Sequence, residues 1–188
     1  DYLLLCTGTQ TNFHGRNEFA SNLFTLDTVA DALRIQRRLE VADFANVAVI
    51  GGGYTGIELI TNMRRLVLDG NAASGVQFHL VERSDTLLST LAMPIRAYCR
   101  RNLERLGVQL HLGTTLEAVE DGEMRLSDGT SLPNAVGAWS AGVVCPEAVK
   151  RLAGDAPQGR IQAPETLRFA ERCYAAGDTA GLQRDGAL

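Results

Sequence analysis

A short apolar run at 47–50, after Asn46, breaks into glycines at Gly51, Gly53 and Gly56, then passes into a segment whose apolar residues Ile57, Ile60, Met63 and Val67 recur at helical spacing. No other stretch constrains the fold as strongly. In the G-x-G-x-x-G spacing the first glycine turns the backbone tightly, the second lets a pyrophosphate approach it, and the third lets helix and strand pack closely, with the phosphates held at the helix N-terminus. Spacing alone is weak, since glycine turns are common, so the context has to carry the reading. Residues 47–50 read as a buried strand and the helix runs to Gly70. A loop at 71–75 follows, and a second strand at 76–81 ends on Glu82, where an acid that hydrogen-bonds an adenosine ribose would sit. Glu82 lies 26 positions beyond Gly56, further than the usual spacing of about 20. The loop at 71–75 accounts for the excess. The pattern predicts a dinucleotide-binding strand–turn–helix unit rather than a purely structural glycine turn.

The rest of the chain extends this alternation. Residues 1–8 read as a buried strand ending in a glycine turn, and their continuous apolarity suits a strand covered on both faces. Residues 12–22 are polar and irregular, a surface connection in which His14 reads as a solvated loop residue. With Asp27 as N-cap, 28–40 is helical: Ala32, Ile35 and Leu39 share an apolar face, and Arg34, Arg37 and Arg38 line a solvated one. After a loop at 84–92, Pro94 sits in the first turn of another helix with an apolar stripe of Ile95, Cys99, Leu103 and Leu106, closed by Gly107. A third strand at 108–112 continues the βαβ rhythm of a parallel sheet with right-handed crossovers. The pattern then changes. Short strands at 114–119, 123–126 and 130–132 are separated by Asp121-Gly122 and Asp128-Gly129, turn pairs that favour hairpins and make a small antiparallel meander. A returning strand at 135–141 carries the only tryptophan, Trp139, and ends at Gly142. Beyond it lie a short helix at 147–152, an extended piece at 159–163, and a last strand at 172–176 leading into Gly177-Asp178. The fold class is therefore α/β, a Rossmann-like parallel sheet with a small antiparallel β-meander.

Composition narrows the function. A net charge of −4 and a pI near 5.4 provide no basic footprint, which argues against nucleic acid as a partner. Cys6, Cys99, Cys145 and Cys173 form no C-x-x-C and no metal-ligand spacing, and read as buried thiols in a reducing compartment. No apolar run approaches the roughly 20 residues that cross a bilayer, and no signal peptide is visible. The chain begins at Asp1 and opens directly on an apolar strand, as an excised piece of a longer protein would.

With the pieces in this order, the sequence resembles the two-dinucleotide-domain flavoprotein reductases of the pyridine nucleotide-disulfide reductase superfamily, and within them the type II NADH dehydrogenases. There the nicotinamide domain is inserted into the flavin domain, reached after an Ala-Thr-Gly-like turn and left before a strand ending in Gly-Asp. Cys6-Thr7-Gly8 matches the first, with Cys in place of Ala, and Ala176-Gly177-Asp178 matches the second. The narrower likeness rests on Trp139-Ser-Ala-Gly-Val143, on Gly159-Arg-Ile preceding Glu165-Thr-Leu, and on the Ala32-Leu-Arg-Ile-Gln-Arg helix. It covers essentially the whole chain but only the middle and flanks of such a parent. The amino-terminal flavin glycine motif and the carboxy-terminal segment that meets quinone and membrane are not in it.

The resemblance implies partial flavin-domain segments at 1–20 and 151–188 around a nicotinamide-nucleotide domain at 21–150. Gly51, Gly53, Tyr54, Thr55 and Gly56 would bind the NADH phosphates, and Glu82 the adenosine ribose, favouring NADH over NADPH, although Arg83 beside it could accommodate a 2′-phosphate. Glu58 would lie near the nicotinamide and flavin rings, or else be an acid stabilised by the helix dipole. Ala141 and Gly142 would let the nicotinamide end approach, with Trp139 either a core residue or a cofactor contact. Thr7, Gly8, Gly177 and Asp178 would touch FAD in the full-length parent, Asp178 on the ribityl chain, or simply as an N-cap. The implied reaction passes hydride from NADH to FAD and electrons onward to an acceptor, a quinone, with no acid, base or nucleophile of this chain catalytic and no metal. Alternatives are an NADH-dependent nitrite or ferredoxin reductase subunit, or a non-catalytic NAD-binding sensor. The implied location is cytoplasmic or peripheral on the inner face of the membrane. On its own, this chain is expected to lack flavin and activity and to self-associate through its exposed flavin-domain strands.

Overall fold

The computed structural model describes residues 1–41, 43–70 and 75–182, so the loop expected at 71–75 lies almost wholly outside the described residues. The elements run β1 (Leu3–Leu5), β2 (Gln10–Thr11), α1 (Val29–Glu40), β3 (Asn46–Ile50), α2 (Tyr54–Asp69), β4 (Gln77–Glu82), α3 (Met93–Arg105) and β5 (Val108–Leu112). There follow β6 (Leu116–Glu120), β7 (Glu123–Leu126), β8 (Ser131–Leu132), β9 (Ala135–Trp139), β10 (Val143–Val144), α4 (Glu147–Ala153), β11 (Ile161–Ala163), β12 (Arg168–Ala170), β13 (Cys173–Ala175) and β14 (Ala180–Leu182). Two compact units share them: Phe13–Gly142, and Asp1–Asn12 together with the chain from Val143. Both divisions fall somewhat before the boundaries at 20/21 and 150/151 that the sequence suggested.

In the Phe13–Gly142 unit, four parallel strands stand in the order β5-β4-β3-β9, with β3 paired on both sides. All five residues of β3 are buried, and strand alternation sorts them. Val47 and Val49 face a core with Ile35 and Leu39 of α1, Ile60 and Met63 of α2, and Leu103 of α3. Ala48 and Ile50 face a second core made by Leu116, Met124, Leu126 and Leu132 of the β6-β7-β8 meander with Phe19 and Trp139. Helices thus cover one face and the meander the other, which is why residues 47–50 of β3 read as continuously apolar. Fully burying each such side chain contributes about 1.5–3 kcal/mol.

A polar chain threads this sheet. Asn46 Nδ2 donates to the Pro133 carbonyl at 2.6 Å, so its Oδ1 is left to accept from His79 Nε2 at 3.1 Å. His79 Nδ1 then meets His111 Nε2 at 3.1 Å, and His111 Nδ1 meets Asp128 Oδ2 at 3.2 Å in the turn between β7 and β8. Burial, reinforced by the neighbouring His111, lowers the His79 pKa to about 4.

Several sequence expectations change. The N-cap of α1 is Thr28, not Asp27: its hydroxyl accepts from the Asp31 amide at 3.2 Å, and Asp31 Oδ2 accepts from the Thr28 amide at 2.8 Å, a reciprocal capping box. Asp31, also paired with Arg34, takes the buried position on α1, while Ala32 is exposed. Arg38 lies 5.4 Å from the Phe44 ring and pairs with Asp43, so the arginine row is not simply solvated. On α3 only Leu103 is fully buried, and Ile95 is 48% exposed, because the helix flanks the edge strand β5 and has sheet on one side only. The polar connection at 12–22 hides Phe19, buried in a 3-10 turn at Asn17–Ser21. Only Cys145 is a buried thiol; Cys6 is exposed, and Cys99 and Cys173 are intermediate.

In the other unit β1 pairs parallel with β13, β12 lies antiparallel on the far side of β13, and β11 pairs with β14. Cys145, Val149, Ile161, Ala175 and Ala180 form its core. Here β1 is an edge strand and is not the buried element its composition suggested: Leu4 is 59% exposed. Among the described residues no helix is long and apolar enough to cross a membrane.

Candidate functional site

The chain steps from β3 to β4 to β5 on one side and then returns past β3 to add β9 on the other, so the strand order reverses at β3 and its carboxyl end is the position where open α/β sheets form a ligand crevice. Gly51 to Gly53 turn there. Gly51 has φ +118°, and a Cβ on it would stand 2.8 Å from the Ser140 carbonyl carbon and 2.9 Å from Ala141 Cα. A Cβ on Gly56 would run into the Gly51 carbonyl oxygen and come within 2.8 Å of Ser140 Oγ. These two glycines therefore weld turn, helix and β9 together. Gly53 differs. With φ −80° and ψ −174° it is the N-cap of α2, and a Cβ there would meet nothing within 4 Å. Among the described residues no side chain caps this helix and no acid occupies its first turn, so its first amides form an uncapped positive helix end. Tyr54 and Thr55 are exposed there, and Glu58 is exposed one turn further on.

Glu82 ends β4 beside this turn. Its Oε2 accepts from the Gly52 amide at 2.6 Å and its Oε1 from the Ser84 amide at 2.8 Å. Each oxygen keeps a lone pair for a further donor. Arg83 points to an exposed position. Ala141 and Gly142 follow β9 across the crevice, with Gly142 at φ +138° and the Ser140 amide donating to the Ile50 carbonyl at 2.8 Å. Trp139 is 7% exposed, its ring 5.5 Å from Phe13 and 5.6 Å from Phe19, which makes it a core residue. A cavity of about 330 Å³ lies one loop away, between residues 85–87 and α3, and does not include the glycine turn.

In the other unit, Thr7 and Gly8 come together with Gly177 and Asp178. The Gly8 amide donates to Thr179 Oγ1 at 3.0 Å, Thr9 Oγ1 donates to Asp178 Oδ2 at 3.4 Å, and Gly8 and Gly177 have φ of +68° and +63°. Parallel pairing of β1 with β13 brings the two turns side by side.

Sequence reasoning missed four participants. Gly52 has no room for a side chain, since its Cβ would stand 2.7 Å from Leu87 Cδ2 and 2.9 Å from Glu82 Cβ; the unbroken run of three glycines was the available signal. Ser140 and Thr179 adjoin residues already singled out. His14, read as a solvated loop residue, is exposed but places Nε2 2.8 Å from the Ala141 carbonyl, to which it donates.

A glycine turn at the switch point of a parallel sheet, an acid closing the next strand, and a second unit built from both chain ends define the architecture of a two-unit nucleotide-type α/β protein. The chain matches the pyridine nucleotide-disulphide oxidoreductase family over residues 1–187 and belongs to it. It is 26% identical over 214 residues to the external alternative NAD(P)H-ubiquinone oxidoreductase B3 of Arabidopsis thaliana mitochondria, covering 98% of this chain and 37% of that protein. It also resembles the structure of NDH2 from Plasmodium falciparum in complex with NADH, with a TM-score of 0.81 and 20% identity over 97% of this chain and 44% of the other. The ferredoxin reductase for the CYP199A2 system of Rhodopseudomonas palustris has the same fold, with a TM-score of 0.79 and 22% identity over 96% of this chain and 44% of the other. The chain thus spans about half or less of the length of such relatives.

Proposed function

We propose that this chain is the NADH-binding core of a flavoprotein oxidoreductase whose full-length form passes hydride from NADH to FAD and electrons on to a quinone. The observation that carries the reading is Glu82, held by the Gly52 and Ser84 amides at the lip of the glycine turn. Two backbone donors fix the carboxylate, and its remaining lone pairs suit the vicinal hydroxyls of an adenosine ribose. A 2′-phosphate at the same place would face that negative charge. The open space over Gly53 and the uncapped start of α2 fit a pyrophosphate, which the helix dipole and first-turn amides would stabilise. In this reading the nicotinamide end would meet Ala141 and Gly142, and Glu58, exposed on α2, would lie near the rings. Thr7, Gly8, Gly177 and Asp178 fit one edge of a flavin, whose pyrophosphate would need a glycine turn outside this chain.

When bound, NADH supplies the hydride and FAD accepts it. The residues of this chain bind and orient the reactants and supply no acid, base or nucleophile. A quinone acceptor is supported by the names of the relatives; the expected setting is cytoplasmic or peripheral on the inner face of the membrane. A relative named as a ferredoxin–NAD(+) reductase component, 31% identical over 136 residues, supports the second reading, in which the acceptor is a ferredoxin. Turnover of a soluble quinone by the full-length protein separates the two.

Titrating the chain with NADH and NADPH tests the binding reading. NADH should bind more tightly, and Glu82→Gln should narrow the difference. Equal or tighter binding of NADPH by the unaltered chain would overturn the role given to Glu82.

A further inference from the structure

We propose that His14 is a positioning residue for the nicotinamide end of the site, an inference that rests on the dinucleotide reading above. His14 belongs to a turn closed by the Arg16 amide on the Phe13 carbonyl at 3.0 Å. Its φ of +52° lies in the left-handed region that non-glycine residues adopt at a cost, so its surroundings must hold it there. Two contacts on the far side of the sequence do so. The preceding ring, Phe13, packs 5.5 Å from Trp139, and His14 Nε2 donates to the Ala141 carbonyl at 2.8 Å across 127 positions of sequence.

That bond acts on the peptide the nicotinamide would meet. In a trans peptide the C=O and N–H point in opposite directions, so turning the Ala141 carbonyl toward His14 aims the Gly142 N–H away from it. The imidazole also takes the room beside Gly142: a Cβ there would stand 2.5 Å from His14 Nε2 and 3.0 Å from its Cε1. One peptide earlier, the Ser140–Ala141 backbone presses on Gly51, where a Cβ would stand 2.9 Å from the Ala141 nitrogen. The backbone at 140–142 is therefore fixed at its first peptide by the glycine turn and at its second by the imidazole. A primary carboxamide both donates and accepts hydrogen bonds, and a backbone peptide in a fixed orientation is the complementary surface for it. Release of the peptide would cost only the part of the affinity that comes from the nicotinamide.

Isothermal titration of the full chain with NADH and with ADP-ribose tests this, because ADP-ribose keeps the adenosine and pyrophosphate and lacks the nicotinamide. His14→Ala should weaken NADH about three- to tenfold, the worth of one hydrogen bond, and leave ADP-ribose unchanged. His14→Gln, which carries a donor at nearly the same reach as Nε2, should restore NADH binding. If His14→Ala does not fold, His14→Phe keeps a ring without the donor and carries the same expectation. Unchanged NADH affinity, or an equal loss for both ligands, would overturn the assignment while leaving the glycine turn and Glu82 in their roles. Failure of the unaltered chain to bind either ligand would remove the dinucleotide reading and this inference with it.

Discussion

Gly53→Val separates binding from folding in a way no other glycine of the turn permits. At φ −80° and ψ −174° a β-branched residue is in comfortable extended backbone, and its Cβ would find no atom within 4 Å. The folding cost is therefore that of replacing a tolerated N-cap residue by a poor one, about 1 kcal/mol, a shift of a few degrees in Tm. The same substitution at Gly51 would combine φ +118° with backbone at 2.8 Å. Strain and overpacking together make that about 3 kcal/mol or more. Binding should respond in the opposite order. Two methyl groups over the start of α2 fill the space proposed for the pyrophosphate, and hydrogen bonds from amides to a charged acceptor are worth about 1.5–3 kcal/mol each. Loss of two would weaken NADH on the order of 100-fold or more. Thermal melts and NADH fluorescence titrations on the two variants are the assay. A folded Gly53→Val that binds NADH like the unaltered chain would place the phosphate cradle elsewhere, and a Gly53→Val as damaged as Gly51→Val would refute the steric argument.

Acidification should destabilise the Phe13–Gly142 unit through His79. The unfolded side chain titrates near 6.5 and the buried one at about 4, so the contribution is complete above pH 6.5, falls as protons bind the unfolded chain preferentially, and is lost by about pH 4, amounting to roughly 3 kcal/mol. Denaturant unfolding across that window should show the slope, and His79→Gln should flatten it; parallel curves for the two proteins would sink the assignment. The isolated chain should purify colourless and should not oxidise NADH, since the residues proposed to touch flavin, Thr7, Gly8, Gly177 and Asp178, would form only one edge of its site; stoichiometric yellow flavin would show that proposal to be misplaced. Exposed Leu3 and Leu4 on the edge strand β1 should make the chain associate with rising concentration, and Leu4→Lys should suppress it. Light scattering that finds a monomer at every concentration would contradict this.

The strand–turn–helix at β3 and α2 was legible because three independent patterns agree there: an apolar run, glycine punctuation and a 3.6-residue period. The meander was legible from Asp121-Gly122 and Asp128-Gly129, where the glycines have φ of +77° and +86°. Asp27 and Thr28 are both competent caps, and composition alone does not choose between them. What decides is Asp31, three residues after Thr28, whose amide donates to the Thr28 hydroxyl while its carboxylate accepts from the Thr28 amide. Burial was the least legible property. The apolar run of β1 predicts a covered strand, yet coverage depends on neighbours that an edge strand lacks, while Phe19 is buried inside a run of polar residues because Trp139 and the meander lie over it.

The His14–Ala141 bond has no sequence signature at all, because no periodicity links residues 127 positions apart. It follows from register. Ile50 stands opposite Trp139 in the parallel pair β3–β9, so the next residues along, Gly51 and Ser140, must lie side by side as each chain leaves the sheet. A one-residue slip would exchange the faces of β9, moving Trp139 out of the core shared with Phe13 and Phe19 and setting Ala141 rather than Ser140 beside Gly51. The aromatic core thus fixes the register, and the register brings the Ser140–Gly142 backbone to the glycine turn on one side and to His14, held by Phe13 against that same core, on the other. Packing on the meander face of the sheet therefore determines the geometry of the crevice at its carboxyl end, and a core substitution such as Phe19→Ala should disturb ligand binding as well as stability.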